Sequence, residues 1–104
     1  MERVCFTFEI HPGTEAEYKQ RHDEIWPELV EAIKDAGHAN FSLFRQGTTI
    51  IAYVECEPDA ATVFGKIGAT HVNTRWAESL KDVIVSLTDE NGERRQFEEV
   101  WHLD

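Results

Sequence analysis

His22 and Tyr18 stand four residues apart in the run EYKQRHDEIWPEL, residues 17–29. In a helix that spacing places the two side chains on one face. An imidazole has an unperturbed pKa of about 6.5, so it gives and takes protons near neutral pH. A phenol adds a hydroxyl that both donates and accepts hydrogen bonds. The same stripe carries Ile25 and Leu29, so these two polar tips point inward and need partners. The partners belong either to the protein or to a ligand. A core histidine satisfied by a backbone carbonyl is the bland reading of His22. A core aromatic with its hydroxyl at the rim is the bland reading of Tyr18. Trp76 is the third candidate. Alone it is core; beside a polar pocket its ring face suits the C–H surface of a sugar. Trp26 and Trp101 read as structural, and Asp23, Glu24, Glu28 and Glu31 read as a solvated helix face.

Other chemistries lack their residues. His11, His22, His38, His71 and His102 form no HExxH or other ligand-spaced set, and there is no CxxC, Gly-rich phosphate loop or GxSxG elbow. No metal and no cofactor is expected. Twenty acidic residues against ten basic ones give a formal charge of −10. That balance argues against nucleic acid and anionic membrane surfaces, which need Lys and Arg on a common face. A small neutral ligand remains compatible with it. A length of 104 residues with 41% apolar content suits one domain, residues 1–104, with a single core. No apolar run approaches the roughly 18 residues of a membrane span. The start, MERVCFTFEI, lacks the basic and long apolar regions of a signal peptide. A soluble, cytoplasmic protein is expected.

The elements that must position these side chains follow from periodicity. Val4, Phe6, Phe8 and Ile10 alternate with Cys5, Thr7 and Glu9, the mark of a half-buried strand. His11-Pro12-Gly13 ends it. Thr14 with Glu17 fits a capping box. A helix then runs to about Ala36, where Gly37 stops it, with a kink or break near Trp26 imposed by Pro27. Residues 40–45 and 49–56 read as a hairpin turning at Gln46-Gly47-Thr48. Pro58-Asp59 opens a second helical region, with a short helix over 60–67 and a longer one over 70–85, where Val72, Trp76, Leu80 and Val83 recur. Residues 89–95 form a polar loop, and 97–103 a last strand. Strand, helix, strand, strand, helix, strand is an α+β pattern. With right-handed crossovers it is the ferredoxin-like βαββαβ arrangement, a four-stranded antiparallel sheet with helices on one face. Ile51, Tyr53 and Phe44 or Phe41 make the other face partly apolar, so a homodimer that covers it is expected.

The two cysteines make no disulfide framework. Cys5 alternates with Phe6, whereas Cys56 follows the set Ile50, Ala52, Val54. If Phe6 and Val54 share the helix-facing side, the thiols lie on opposite faces and cannot bridge.

EYKQRHDEIWPEL closely resembles the signature of the L-rhamnose mutarotases. The resemblance continues through GHANF (37–41) and TRWA (74–77) to EEVW (98–101) and spans essentially the whole chain. It implies a small cytoplasmic dimer of the dimeric α/β-barrel type. The activity implied is an isomerase that interconverts the α and β anomers of L-rhamnose without a cofactor. It also implies that His22 is the proton donor and that Tyr18 and Trp76 contact the monosaccharide. Two positions depart from the family pattern. Phe41 stands where a sugar-binding tyrosine is usual, and Ala77 where a second tryptophan is usual. Losing a designed polar contact changes selectivity strongly, so these positions bear on which sugar is taken. Two other readings share the frame: a cofactor-independent monooxygenase of the same barrel type, and a non-catalytic sugar-binding protein.

Overall fold

In the computed structural model, which describes all 104 residues, β1 (Glu2–Ile10) leads into α1 (Glu15–Asp23) and α2 (Pro27–Ala36). The hairpin β2 (His38–Gln46) and β3 (Thr49–Cys56) follows, then α3 (Ala60–Gly68) and α4 (His71–Ser79), and finally the short strands β4 (Ile84–Ser86) and β5 (Arg95–Phe97). The sheet order is β2-β3-β1-β4, with β5 also on β1, and every pairing is antiparallel. The crossover through α1 and α2 passes over β3, and the one through α3 and α4 passes over β1. This is the α+β, ferredoxin-like arrangement expected from the pattern.

The fourth sheet position differs in detail. The expected last strand over 97–103 is replaced by two three-residue strands laid end to end along β1. Ile84 and Ser86 pair with Ile10 and Glu9, and Arg95 and Phe97 pair with Thr7 and Cys5. The loop between them is closed on itself: Asp89 Oδ1 accepts from the N–H groups of Asn91 and Glu93 at 2.8 and 3.0 Å. β1 begins at Glu2, which Val100 would face in this register, so residues beyond Val100 pass the end of the sheet and find no strand partner in their own chain. Val100, Trp101 and Leu103 are exposed. The second helix is also shorter than expected. α4 ends at Ser79 because the β-branched run Val83-Ile84-Val85 takes the free edge of β1. Leu80 and Val83 are nevertheless buried, as their spacing required.

Pro27 breaks the first helical region rather than kinking it. Trp26 is extended (φ −63°, ψ 130°) and Pro27 occupies the first position of α2, where its missing N–H costs nothing. No capping box forms. Thr14 Oγ1 donates to the His11 carbonyl at 2.6 Å, Glu15 accepts from Gly13 N–H at 2.6 Å, and Glu17 pairs with Arg21. The nearer acid and the ionic partner outcompete the reciprocal cap.

The core lies on one face of the sheet. Val4, Phe6, Phe8 and Ile10 of β1 and Ile50, Ala52, Val54 and Cys56 of β3 pack with Tyr18, Ala36, Val63, Leu80 and Val83 from the helical regions. The other face is open. Phe44, Ile51, Thr7 and Arg95 form one cross-strand row there, and Ser42, Tyr53, Cys5 and Phe97 the next. Of Phe44 and Phe41, it is thus Phe44 that lies on the open face. A bulge at Asn40–Phe41 (Asn40 φ 47°) turns Phe41 against His38 instead, with the rings stacked at 5.8 Å. Cys5 stands opposite Tyr53 and Cys56 opposite Glu2. Both thiols are free, on opposite faces as alternation required.

Candidate active site

α1 has no strong apolar stripe. Tyr18 is its one buried residue, and its ring meets Phe8 of β1 edge-on at 6.3 Å. His22 lies against Tyr18 with the rings tilted at 44° and their centres 4.4 Å apart, and it meets the edge of Trp76 at 5.4 Å. The structure therefore brings together the three residues singled out in the sequence. The imidazole sits in the gap between α1 and α4, while Tyr18 makes the contact to the sheet. Trp26, read as structural, joins the group through a T-shaped contact to Trp76 at 5.2 Å, with the Arg75 guanidinium 5.0 Å over its ring. Its position four residues after His22 was the available signal, obscured by the proline that follows it.

Arg21 holds α1 in place. Its guanidinium takes Asp82 in a bidentate pair at 3.0 and 3.0 Å, Glu17 at 2.6 Å and the Ser79 carbonyl at 2.5 Å. This clamp ties the turn carrying His22 to the end of the helix carrying Trp76.

The proton inventory follows from the contacts. His22 Nδ1–H donates to the Tyr18 carbonyl at 2.9 Å. A carbonyl only accepts, so the proton resides on Nδ1 and Nε2 keeps its lone pair. Burial holds the imidazole below its ordinary pKa, against the opposing pull of that hydrogen bond and of Asp23. Burial pushes the Tyr18 phenol far above its ordinary value, so Tyr18 stays a neutral hydroxyl. It can donate a hydrogen bond but cannot act as a base.

His38 is a second imidazole, and it is buried. It donates from Nδ1 to the Ile33 carbonyl at 2.8 Å and lies 5.9 Å from Phe64. Ring contacts run from Phe41 through His38 and Phe64 to Phe6, Phe8 and Tyr18. Phe41 thus belongs to the same aromatic row but does not touch His22. Ala77 is exposed on α4 beside Trp76.

A pH dependence follows. Burial lowers the pKa of both His22 and His38 in the folded state. The unfolded chain then binds more protons than the folded one once the pH falls below the ordinary histidine value of about 6.5. Their contribution is complete above that value and is lost as the pH falls through the depressed folded pKa values. Urea midpoints should drop between pH 7 and 5. The drop should shrink in His38→Phe; an equal drop in that variant contradicts the assignment.

The L-rhamnose mutarotase family model matches residues 3–103. The L-rhamnose mutarotase of Listeria monocytogenes serovar 1/2a is 37% identical over 99% of both chains, and that of Oceanobacillus iheyensis 32% over the whole of both. The crystal structure of the L-rhamnose mutarotase of Formosa agariphila superposes with a TM-score of 0.79 at 25% identity, covering both chains fully. Near-complete coverage by the family model and by relatives above 30% identity establishes that the chain belongs to the L-rhamnose mutarotase family.

Proposed function

We propose that this protein is an isomerase that interconverts the α and β anomers of L-rhamnose or a closely related aldose, with His22 as the proton carrier. The observation that carries the assignment of His22 is its tied tautomer. With Nδ1–H held by the Tyr18 carbonyl, Nε2 is the nitrogen free for substrate. Depressed basicity keeps it unprotonated near neutral pH. It takes the proton of the anomeric hydroxyl as the bond from the anomeric carbon to the ring oxygen breaks, leaving an aldehyde. The imidazolium so formed donates that proton to the ring oxygen. Rotation about the bond to the aldehyde carbon and the reverse sequence close the other anomer. One conjugate pair serves both transfers, and no metal or nucleotide is needed. Tyr18 and Trp76 position the sugar, the first by its hydroxyl and the second by its ring face. Family membership does not favour the oxygenase or binding-only readings.

Saturation-difference NMR across L-rhamnose and other 6-deoxy sugars and aldoses tests the reading. Accelerated anomer exchange for at least one sugar is expected; spontaneous rates for all defeat it. Tyr18→Phe and Trp76→Ala should weaken sugar binding as well as rate, because they remove positioning contacts. Full affinity in both variants would remove them from the site.

The active unit is read as a homodimer closed over the open sheet face. That face exposes Phe44, Ile51 and Phe97. It also holds a cleft of about 230 Å³ bounded by Cys5, Tyr53, Phe97, Trp101 and His102, on the far side of the sheet from His22. Exposed apolar area of this kind marks an interface. Sedimentation at micromolar concentration should give twice the chain mass, and a monomer there rejects the dimer. The cytoplasm is the proposed compartment. No helix is long and apolar enough to cross a membrane.

A further inference from the structure

Arg94 has no role in the mechanism above, and its setting differs from that of the paired arginines. Arg3 pairs with Glu99, Arg21 with Glu17 and Asp82, and Arg75 with Glu28. Arg94 forms no ion pair and no hydrogen bond, although the chain carries twenty acids. Its guanidinium lies 4.3 Å from the centre of the Phe64 ring and 5.0 Å from that of Phe6. It is half-buried.

Register explains how it reaches there. Arg95 pairs with Thr7 on the open face. Arg94, one residue earlier, comes off beside Phe8 and points to the helix side. It enters over the same aromatic row that ends at Tyr18 and His22: Phe6 is 6.2 Å from Phe8, and Phe8 is 6.3 Å from Tyr18. Aromatic faces hold a guanidinium in place but leave its in-plane N–H donors unused. Phe64 also meets His38, at 5.9 Å, whose Nδ1–H is already committed to the Ile33 carbonyl, so its second nitrogen is an acceptor.

We propose that Arg94 is a substrate-positioning and specificity residue. It donates hydrogen bonds to sugar oxygens on the side of the ring away from the anomeric carbon and ring oxygen handled by His22. This rests on the sugar-isomerase reading and extends it. The ligand chemistry is an oxygen acceptor, which a neutral hydroxyl or the carboxylate of an acidic sugar could supply. The arrangement also puts a charged donor in the aromatic row where Phe41 lacks a hydroxyl.

The experiment has two arms. First, anomer exchange by the wild type is measured for L-rhamnose and for a hexuronic acid. No acceleration of either sugar ends the sugar-isomerase reading for these substrates, and the inference with it. Where exchange is accelerated, the inference is judged separately on Arg94→Gln and Arg94→Lys. A lost hydrogen bond to a charged group raises KM about tenfold or more. KM should rise by that much in Arg94→Gln and less in Arg94→Lys, with kcat falling far less than KM rises. A larger rise for the uronic acid than for L-rhamnose identifies the carboxylate as the preferred acceptor; an equal or smaller one identifies a hydroxyl. Second, the Arg94 side-chain Nε–H resonance of the wild type, assigned by through-bond correlation from the Arg94 backbone amide, should shift on saturation with the accelerated sugar. This readout does not depend on the variants folding. An unshifted resonance overturns the proposal, as does an unchanged KM in a folded Arg94→Gln.

Discussion

His22→Ala is expected to bring anomer exchange down to, or close to, the spontaneous rate while the fold and much of the sugar affinity survive. A positioned proton carrier contributes roughly 10²- to 10⁴-fold, and here one imidazole is asked to perform both transfers. Its contribution is made in the transition state, so the loss belongs in kcat more than in KM. The surroundings make the variant tolerable for folding. His22 is partly buried, with one internal hydrogen bond to a carbonyl of its own helix, and that carbonyl also serves the helix ladder. Exchange spectroscopy on the variant at saturating sugar is the measurement. Exchange as fast as wild type removes His22 from the reaction, and another group must then move the proton.

The largest stability effect should come from Gly37→Ala. Gly37 caps α2 with φ 113° and ψ 15°, a left-handed conformation that a Cβ disfavours. It is also a crossing point. Its N–H donates to the Lys34 carbonyl at 3.0 Å, and its own carbonyl accepts from Glu57 N–H at 3.0 Å. A Cβ there would press on the Glu57 carbonyl oxygen and lie 2.9 Å from Val63 Cγ2, a side chain with no exposure at all. Neither neighbour can yield: one is backbone beyond the end of β3, and the other is core. Backbone strain and overpacking together cost roughly 2–5 kcal/mol, a large share of the 5–15 kcal/mol that typically holds a domain. Thermal and urea unfolding should show Tm down by about 10 °C or more. Gly47→Ala is the control. Gly47 also has positive φ (60°), but a Cβ there meets nothing, so only the conformational part of the penalty remains. Equal losses in the two variants would show that the packing contact at Gly37 is immaterial.

Much of this was legible in the chain itself. Alternation in β1 named the buried set Val4, Phe6, Phe8 and Ile10 and placed the thiols on opposite faces, because the side-chain period of a strand is two wherever one face is covered. Gly37 marked a helix end because few other residues adopt its φ. Tyr18 and His22 paired because four residues make about one helical turn. Trp76 joined them by resemblance to the family, and the folded chain put its ring edge 5.4 Å from the imidazole.

Other features depended on competition between distant parts of the chain, which local pattern does not contain. The helical spacing of Leu80 and Val83 was real, yet α4 stopped before them because the edge of β1 offered backbone partners to Ile84–Ser86. The capping box at Thr14 lost to Glu15 and to the Arg21 clamp, whose other end, Asp82, is sixty-one residues away. Phe41 left the open face because a bulge shifted the register of β2 by one residue. The tautomer of His22, the neutrality of Tyr18 and the setting of Arg94 between two phenyl rings are consequences of burial and orientation. Those arise only when α1, α4 and the loop before β5 close over the same face of the sheet.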